Sequence, residues 1–71
     1  IFRLPVAPSL VGKKLAESNI RNITGCSVAA IDQGGVMSIN PDPNLLLPSD
    51  AELIMIGTHE GEKAFVKHFG K

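Results

Sequence analysis

The chain has 71 residues, enough for one domain with a thin core, because a chain of this length buries only roughly 60% of the surface that its unfolded form exposes. Seven Lys and Arg residues balance seven Asp and Glu residues and 44% of the residues are apolar, which argues against disorder and against binding of nucleic acid. The single cysteine cannot form an internal disulfide and suggests a cytosolic setting, and the longest apolar runs fall far short of the ~20 residues of a membrane-spanning helix.

The first third of the chain predicts an edge strand followed by a helix. Apolar and other residues alternate over positions 2–6, as in a half-buried strand, and Pro5 suits a sheet edge because it has no amide hydrogen. Ser9 is a candidate N-cap for a helix whose apolar residues recur at helical spacing until Gly25. The alternative is a break before residues 19–24, which would then form a second short helix.

The middle of the chain predicts a β-hairpin and a rigid loop. Residues 26–31 are small or β-branched, which is typical of a strand buried on both faces. A Gln-Gly-Gly turn at 33–35 connects this strand to residues 36–39. Residues 40–44 contain two prolines and cannot continue the ladder, so they form a crossing loop in which Asp42 is expected to accept a hydrogen bond from its own backbone two residues on.

The end of the chain predicts a last strand and a helix. A turn at 48–50 precedes the strand over residues 53–56, and Thr58 or His59 caps the helix that follows. One face of this helix is predicted to be apolar or aromatic and to meet the core or its rim. The residues of that face are Ala64, Phe65, His68 and Phe69.

The order of elements is therefore strand, helix, strand, strand, strand, helix. This order predicts an α+β fold with a four-stranded, mainly antiparallel sheet and helices on one face. Residues 1–71 form a single domain, and because the chain begins at Ile1 without an initiator Met, we expect it to be excised from a longer protein. The uncovered sheet face or a strand edge would be available to a second copy, so the domain is expected to be a dimer.

Few side chains point to catalysis or to metal binding. Cys26 is the only strong nucleophile, but it opens an apolar strand, where a small inert residue is common. His59 and His68 are the only bases of suitable pKa, and each has a simpler role, as a cap and as a rim residue. The carboxylates are spread over several turns, and no glycine-rich phosphate motif occurs. An enzyme is not expected, and any dinucleotide site would lie upstream of Ile1.

A candidate binding site surrounds Arg21. This residue lies at the end of a helical turn, residues 24–27 lead from there into the buried strand, and Pro41 lies on the loop that returns near the strand. A guanidinium group, backbone amides, the Ser27 hydroxyl and apolar walls would suit an anionic ligand with a flat ring. The alternative is that Arg21 is a solvated residue that pairs with Glu17 one helical turn earlier.

Three segments resemble one family together. They are LAESNIRNITGCSVAAIDQGG at 15–35, INPDPN at 39–44 and SDAELIMIGT at 49–58. In order and spacing, these segments resemble the TrkA-C domain, the C-terminal half of the regulator-of-potassium-conductance (RCK) module. The resemblance implies the fold given above and a role in potassium or other ion transport.

The resemblance also implies a function and a set of site residues. Domains of this family dimerise on the cytoplasmic side of potassium channels and transporters, and some bind cyclic di-AMP across the two-fold interface. The family's nucleotide-contacting positions fall on Arg21, Thr24, Cys26, Ser27, Val28 and Pro41. Ser27 stands where cyclic di-AMP binders commonly have Asn.

The function expected from this resemblance is a regulatory, ligand-sensing homodimerisation module. It would gate a potassium or cation channel or transporter at the inner face of the cell membrane, next to a possible upstream NAD-binding domain. The alternative is a purely structural dimerisation domain of a membrane transporter with no ligand of its own. A dimer whose stability is unchanged by every nucleotide and ion tested would favour that alternative.

Overall fold

The computed structural model describes residues 1–70 and contains one sheet of four antiparallel strands. The strands are β1 (Phe2–Pro5), β2 (Ser27–Gln33), β3 (Val36–Ile39) and β4 (Ala51–Ile56). Their order in the sheet is β1-β4-β2-β3, so β1 and β3 are the edges. The predicted α+β fold with an antiparallel sheet is confirmed, as is the edge position of β1.

The segment between β1 and β2 is not the long helix predicted from Ser9. It contains two separate 3-10 turns, Pro8–Leu10 and Leu15–Glu17, and then the five-residue helix α1 (Ile20–Thr24). Gly12, between the two turns, has a left-handed backbone with φ of 82°. A continuous helix cannot pass through such a residue, and the alternative of a second short helix is confirmed.

The crossing loop supplies a further reason why the long helix does not form. The amide of Gly12 donates to the carbonyl of Leu47 at 2.9 Å, and the amide of Ala16 donates to the carbonyl of Pro43 at 2.9 Å. These donors are therefore committed to the loop and not to a helix of their own. Within the loop, the carboxylate of Asp42 accepts from the amide of Asn44 at 2.8 Å, as predicted.

Strand β2 contains a bulge at Ala29. Val28 is paired with Met55 while Ala30 is paired with Ile54, so Ala29 is the extra residue on β2. The bulge turns Val28 towards the core, whereas Ala30 lies on the opposite face. The expectation of a strand buried on both faces over residues 26–31 is only partly met, because the strand begins at Ser27 and that residue is exposed.

Helix α2 (His59–Phe69) follows β4 and carries the largest core side chains. Thr58 is its N-cap, since the Thr58 hydroxyl accepts from the amide of Gly61 at 3.0 Å. Phe65 and Phe69 are buried with ring centroids 5.1 Å apart. His68 is exposed and not in the core, with its ring edge-on to Phe69 at 4.8 Å. The strand before α2 begins at Ala51, two residues earlier than predicted.

The core lies between the helices and one face of the sheet, and the other face is open. Arg3 bridges strands on the open face, with its guanidinium 3.0 Å from the Glu52 carboxylate and 3.3 Å from that of Asp32. No helix within residues 1–70 has the length and apolar character needed to cross a bilayer. The core side chains are Val6, Ala7, Leu10, Ile20, Cys26, Ile31, Leu47, Ala51, Leu53, Met55, Phe65 and Phe69.

Candidate functional site

The candidate site is built around the junction between α1 and β2, which is fixed by one threonine. The Thr24 hydroxyl donates to the carbonyl of Ile20 at 2.6 Å and accepts from the amide of Cys26 at 3.0 Å. Gly25, between them, closes α1 with a left-handed φ of 76°. The threonine thus satisfies a helix carbonyl and the first amide after the helix, and it holds α1 at a fixed angle to the strand.

The side chain of Cys26 fixes the same junction to α2. The residue is fully buried, and its thiol faces the first turn of α2. A Cβ atom at Gly61 would lie 2.6 Å from the Cys26 Sγ and 2.7 Å from the Thr24 carbonyl oxygen. Only glycine at position 61 lets α2 approach α1 this closely.

A depression of about 210 Å³ opens on the outer side of this junction. Its apolar walls come from the second 3-10 turn, from α1 and from the start of β2, and polar side chains stand among them. The lining residues are Leu15, Ala16, Ser18, Asn19, Ile20, Arg21, Asn22, Cys26, Ser27 and Val28.

Among residues 1–70, Arg21 is the only cationic residue that lines the depression, and its side chain is exposed. Among the ion pairs within residues 1–70, none involves Arg21, so the alternative pairing with Glu17 is not formed. A guanidinium group without a carboxylate partner can make a bidentate contact with a phosphate. The depression therefore combines one positive charge with apolar walls.

The structure brings together four of the six predicted site residues. Arg21, Ser27 and Val28 line the depression, and Cys26 does so without exposing its side chain. Thr24 does not line it, because its buried hydroxyl is used in the junction.

The sixth predicted residue, Pro41, does not line the depression either. It follows Asn40, whose amide donates to the Ala29 carbonyl at 2.8 Å on the neighbouring strand. The ligand-binding role of all six residues stays a prediction.

The sequence analysis missed the residues before Arg21 that form the other wall. Ser18 is buried, and its hydroxyl donates to the Leu15 carbonyl at 2.7 Å and accepts from the amide of Ile20 at 3.4 Å. Asn19 follows with a left-handed φ of 57°. The Ser-Asn pair was the available signal, since these residue types favour caps and turns, and a turn here brings Leu15 over the depression.

No constellation of side chains within residues 1–70 suggests catalysis or a metal site. The Cys26 thiol is closed off from solvent, whereas His59 and His68 are exposed on α2. The Cys26 thiol donates to the carbonyl oxygen of Thr24 at 3.9 Å. In the described part of the chain, no group of three His, Cys, Asp or Glu side chains could hold a metal ion.

The family model for the TrkA-C domain matches residues 1–70. This chain belongs to the TrkA-C domain family. TrkA-C domains are regulatory, and the solved structures that resemble this one include parts of the GsuK channel and of the potassium transport protein KtrA. No curated protein matches the chain.

Solved structures share the fold of this TrkA-C domain closely. The GsuK channel is 43% identical with a TM-score of 0.85, and the match covers 93% of this chain and 12% of the channel chain. The RCK C domain of the potassium transport protein KtrA in complex with cyclic di-AMP is 30% identical with a TM-score of 0.86, covering 93% of this chain and 78% of that one.

A third structure supports the fold alone. It is the RCK_C domain dimer of BusR from S. agalactiae in complex with cyclic di-AMP. This relative is 20% identical with a TM-score of 0.85, and the match covers 97% of this chain and 93% of that one. The same fold thus tolerates wide sequence change.

Proposed function

We propose that this TrkA-C domain binds a small anionic nucleotide in the depression beside Arg21 and thereby regulates a potassium or cation channel or transporter. The depression carries this proposal, because it combines apolar walls with a guanidinium group that has no ion-pair partner within residues 1–70. Cyclic di-AMP is the first candidate ligand, since the 30% identical KtrA domain is in complex with it. The domain acts as a regulator and not as an enzyme.

Regulation by a ligand requires two arrangements with different ligand affinities. The depression is open to solvent on one side, so a single copy would leave part of a cyclic dinucleotide uncovered. In a homodimer, two such depressions that meet at the two-fold axis would enclose the ligand together. The ligand would then favour the arrangement in which the two copies are correctly spaced, and that preference would bias the attached transport protein.

The remaining features of this function concern the longer protein. The match covers 93% of this chain and only 12% of the GsuK channel chain, so membrane-spanning and nucleotide-binding parts of such a parent protein would lie outside the matched region. A related GsuK structure is bound to NAD, which supports an upstream NAD-binding domain in the parent protein. The domain would lie in the cytoplasm at the inner face of the membrane. Nucleic acid is not part of the proposed function, although BusR, a fold relative, has been solved with DNA.

The test is thermal unfolding of the chain with and without cyclic di-AMP. At 100 times its dissociation constant, a ligand adds about 2.7 kcal/mol of stability, which corresponds to several degrees in a domain of this size. We expect Arg21→Ala to abolish this shift without lowering the melting temperature of the free domain. Lys63→Ala, which removes an exposed cation from α2 outside the depression, is the matched control and should keep the shift.

The edge strand β3 favours a second candidate function, that of a structural dimerisation domain with no ligand. All four residues of β3 are exposed, and the apolar side chains of Val36 and Ile39 are 70% and 79% accessible. Neither a charge nor a proline protects this edge, so it is open to pairing with another strand. In a continuous sheet centred on Ser38, Met37 of one copy would lie beside Ile39 of the other.

The two functions predict different results from the same samples. A ligand-sensing domain is a dimer that cyclic di-AMP stabilises, whereas a structural domain is a dimer that no nucleotide stabilises. Met37→Lys on β3 should weaken the dimer if β3 forms the interface, as measured by sedimentation. A dimer of unchanged stability in that variant would exclude β3 as the interface.

A further inference from the structure

Two asparagine side chains line the depression beside Arg21, and neither is used by the fold. Asn19 and Asn22 are three positions apart on the same side of α1, and both are exposed. Asn19 makes no side-chain cap bond to α1. Among the side-chain hydrogen bonds within residues 1–70, none involves either carboxamide.

The backbone conformation accounts for the presence of asparagine at position 19 but not at position 22. Asn19 has a left-handed φ of 57°, a conformation that asparagine adopts more readily than most residues. Asn22 lies inside α1, where asparagine is a poor helix former. Its side chain makes no capping bond and no other hydrogen bond within residues 1–70, so Asn22 has no evident role in the fold.

A carboxamide in this position has a specific chemical use. Asparagine donates one hydrogen bond and accepts another in a single plane, and this pair of bonds fits the N6 amino group and N7 of adenine. Guanine presents two acceptors at the same edge, which match an arginine and not an asparagine. The Ser27 hydroxyl donates and accepts through one oxygen atom, so it lacks the separate, coplanar donor and acceptor atoms of a carboxamide.

We propose that Asn22 is the residue with which the depression distinguishes an adenine base from a guanine base. This inference rests on the proposed nucleotide-binding function and adds a specificity-determining residue to it. In this arrangement the half-buried Val28 contacts the flat face of the base, and Arg21 contacts the phosphate. The guanidinium is needed there because no other lining residue is cationic.

The experiment compares the affinities of cyclic di-AMP and cyclic di-GMP by calorimetry in wild type and variants. Wild type should prefer cyclic di-AMP, and Asn22→Ala should lose on the order of tenfold of that preference through weaker binding of cyclic di-AMP. The same variant should melt at an equal or higher temperature than wild type, because alanine is the better helix former. A structural role for Asn22 would instead lower the melting temperature.

Two further variants separate the roles of the neighbouring residues. Arg21→Ala should lower the affinities for both nucleotides by the same factor if the guanidinium contacts a phosphate. Weakening of cyclic di-GMP alone would mean that Arg21 recognises guanine, and the assignment to Asn22 would be overturned. Asn44→Ala, an exposed asparagine of the crossing loop outside the depression, is the matched control and should leave both affinities unchanged.

Failure of this inference can be told from failure of the proposed function. If wild type prefers cyclic di-AMP and Asn22→Ala keeps the full preference, only the assignment to Asn22 is wrong. Equal affinity of wild type for the two nucleotides overturns the assignment as well, while nucleotide binding stands. If neither nucleotide binds to wild type, both the function and the assignment are overturned.

Discussion

The two helices of this domain are stabilised in different ways. Helix α2 has 11 residues, a threonine cap and acidic residues in its first turn, so its own sequence favours it. Helix α1 has only five residues, far fewer than an isolated helix needs in water. It forms because Ser18, Thr24 and Cys26 bond to its ends, and because Gly61 of α2 packs directly against it.

This difference shows where the domain can vary without loss of fold. On α2, the exposed charges of Glu60 and Lys67 lie at the ends that the helix dipole favours, so they have a structural role of their own. The exposed polar residues of α1, Arg21 and Asn22, make no ion pair or side-chain hydrogen bond within residues 1–70. A helix fixed entirely from its ends and its inner side leaves its outer side free for a ligand.

The largest effect is expected from the core side of α2. Phe65→Ala should destabilise the domain by about 3–5 kcal/mol, because Phe65 is almost fully buried and its removal leaves a cavity. Urea unfolding followed by circular dichroism measures this loss. Val66→Ala, at the next position, where the side chain is half exposed, is the control and should change stability by less than about 1 kcal/mol. Similar losses in the two variants would show that α2 is packed in another orientation.

The next effect tests the contact between the two helices. Gly61→Ala should cost about 1–3 kcal/mol, since the new methyl group would meet both the Cys26 thiol and the Thr24 carbonyl. Adding Cys26→Ala should recover part of this loss, because it removes one of the two obstacles. The double-mutant cycle measures the coupling between positions 26 and 61. Strict additivity of the two changes would mean that the Cys26 side chain is not in direct contact with α2.

A third prediction compares the two threonines at the helix ends. Thr24→Val should cost about 1–3 kcal/mol, because the buried Cys26 amide loses its partner. Thr58→Val should cost about 1 kcal/mol, the usual value of an N-cap whose amides can turn to water. Both substitutions keep the shape of the side chain, so urea unfolding reports the hydroxyl alone. The reverse order would show that the cap of α2 matters more than the junction of α1.

The smallest effect concerns the charges at the start of α2. Glu60→Lys should cost about 0.3–1 kcal/mol through the helix dipole, and added salt should reduce the loss. Glu17→Lys, in a 3-10 turn too short to carry such a dipole, is the matched control and should show no salt-dependent loss. Melting temperatures at low and high ionic strength provide the comparison.

Local sequence patterns correctly predicted the elements whose hydrogen bonds join residues close together in the chain. The hairpin of β2 and β3 followed from the Gly-Gly turn, and α2 followed from its cap and its apolar face. The Asp42 turn was likewise predicted from one residue and its neighbours. In each case, the bonds that form the element join residues close together in the chain.

The long helix from Ser9 was wrong for the opposite reason. Leu10, Leu15 and Ile20 recur in this segment because two 3-10 turns and a short helix direct these side chains at the same core. Val11 and Ile23, which also fit the helical spacing, are exposed. The amides of Gly12 and Ala16 instead bond to the crossing loop, about thirty residues away, and no local pattern reports such partners. The missed wall of the depression, from Leu15 to Asn19, lies in this same segment.

The bulge at Ala29 has a consequence for how related chains should be aligned and redesigned. Counted back from Ile31 by simple alternation, position 28 would face away from the helices, yet the extra residue turns Val28 inward, where it lines the depression. Deleting Ala29 would therefore turn Ser27 and Val28 to the opposite face of the sheet, although every residue that lines the depression would keep its identity. The proposed ligand affinity would therefore depend on the number of residues in β2 as well as on their identity.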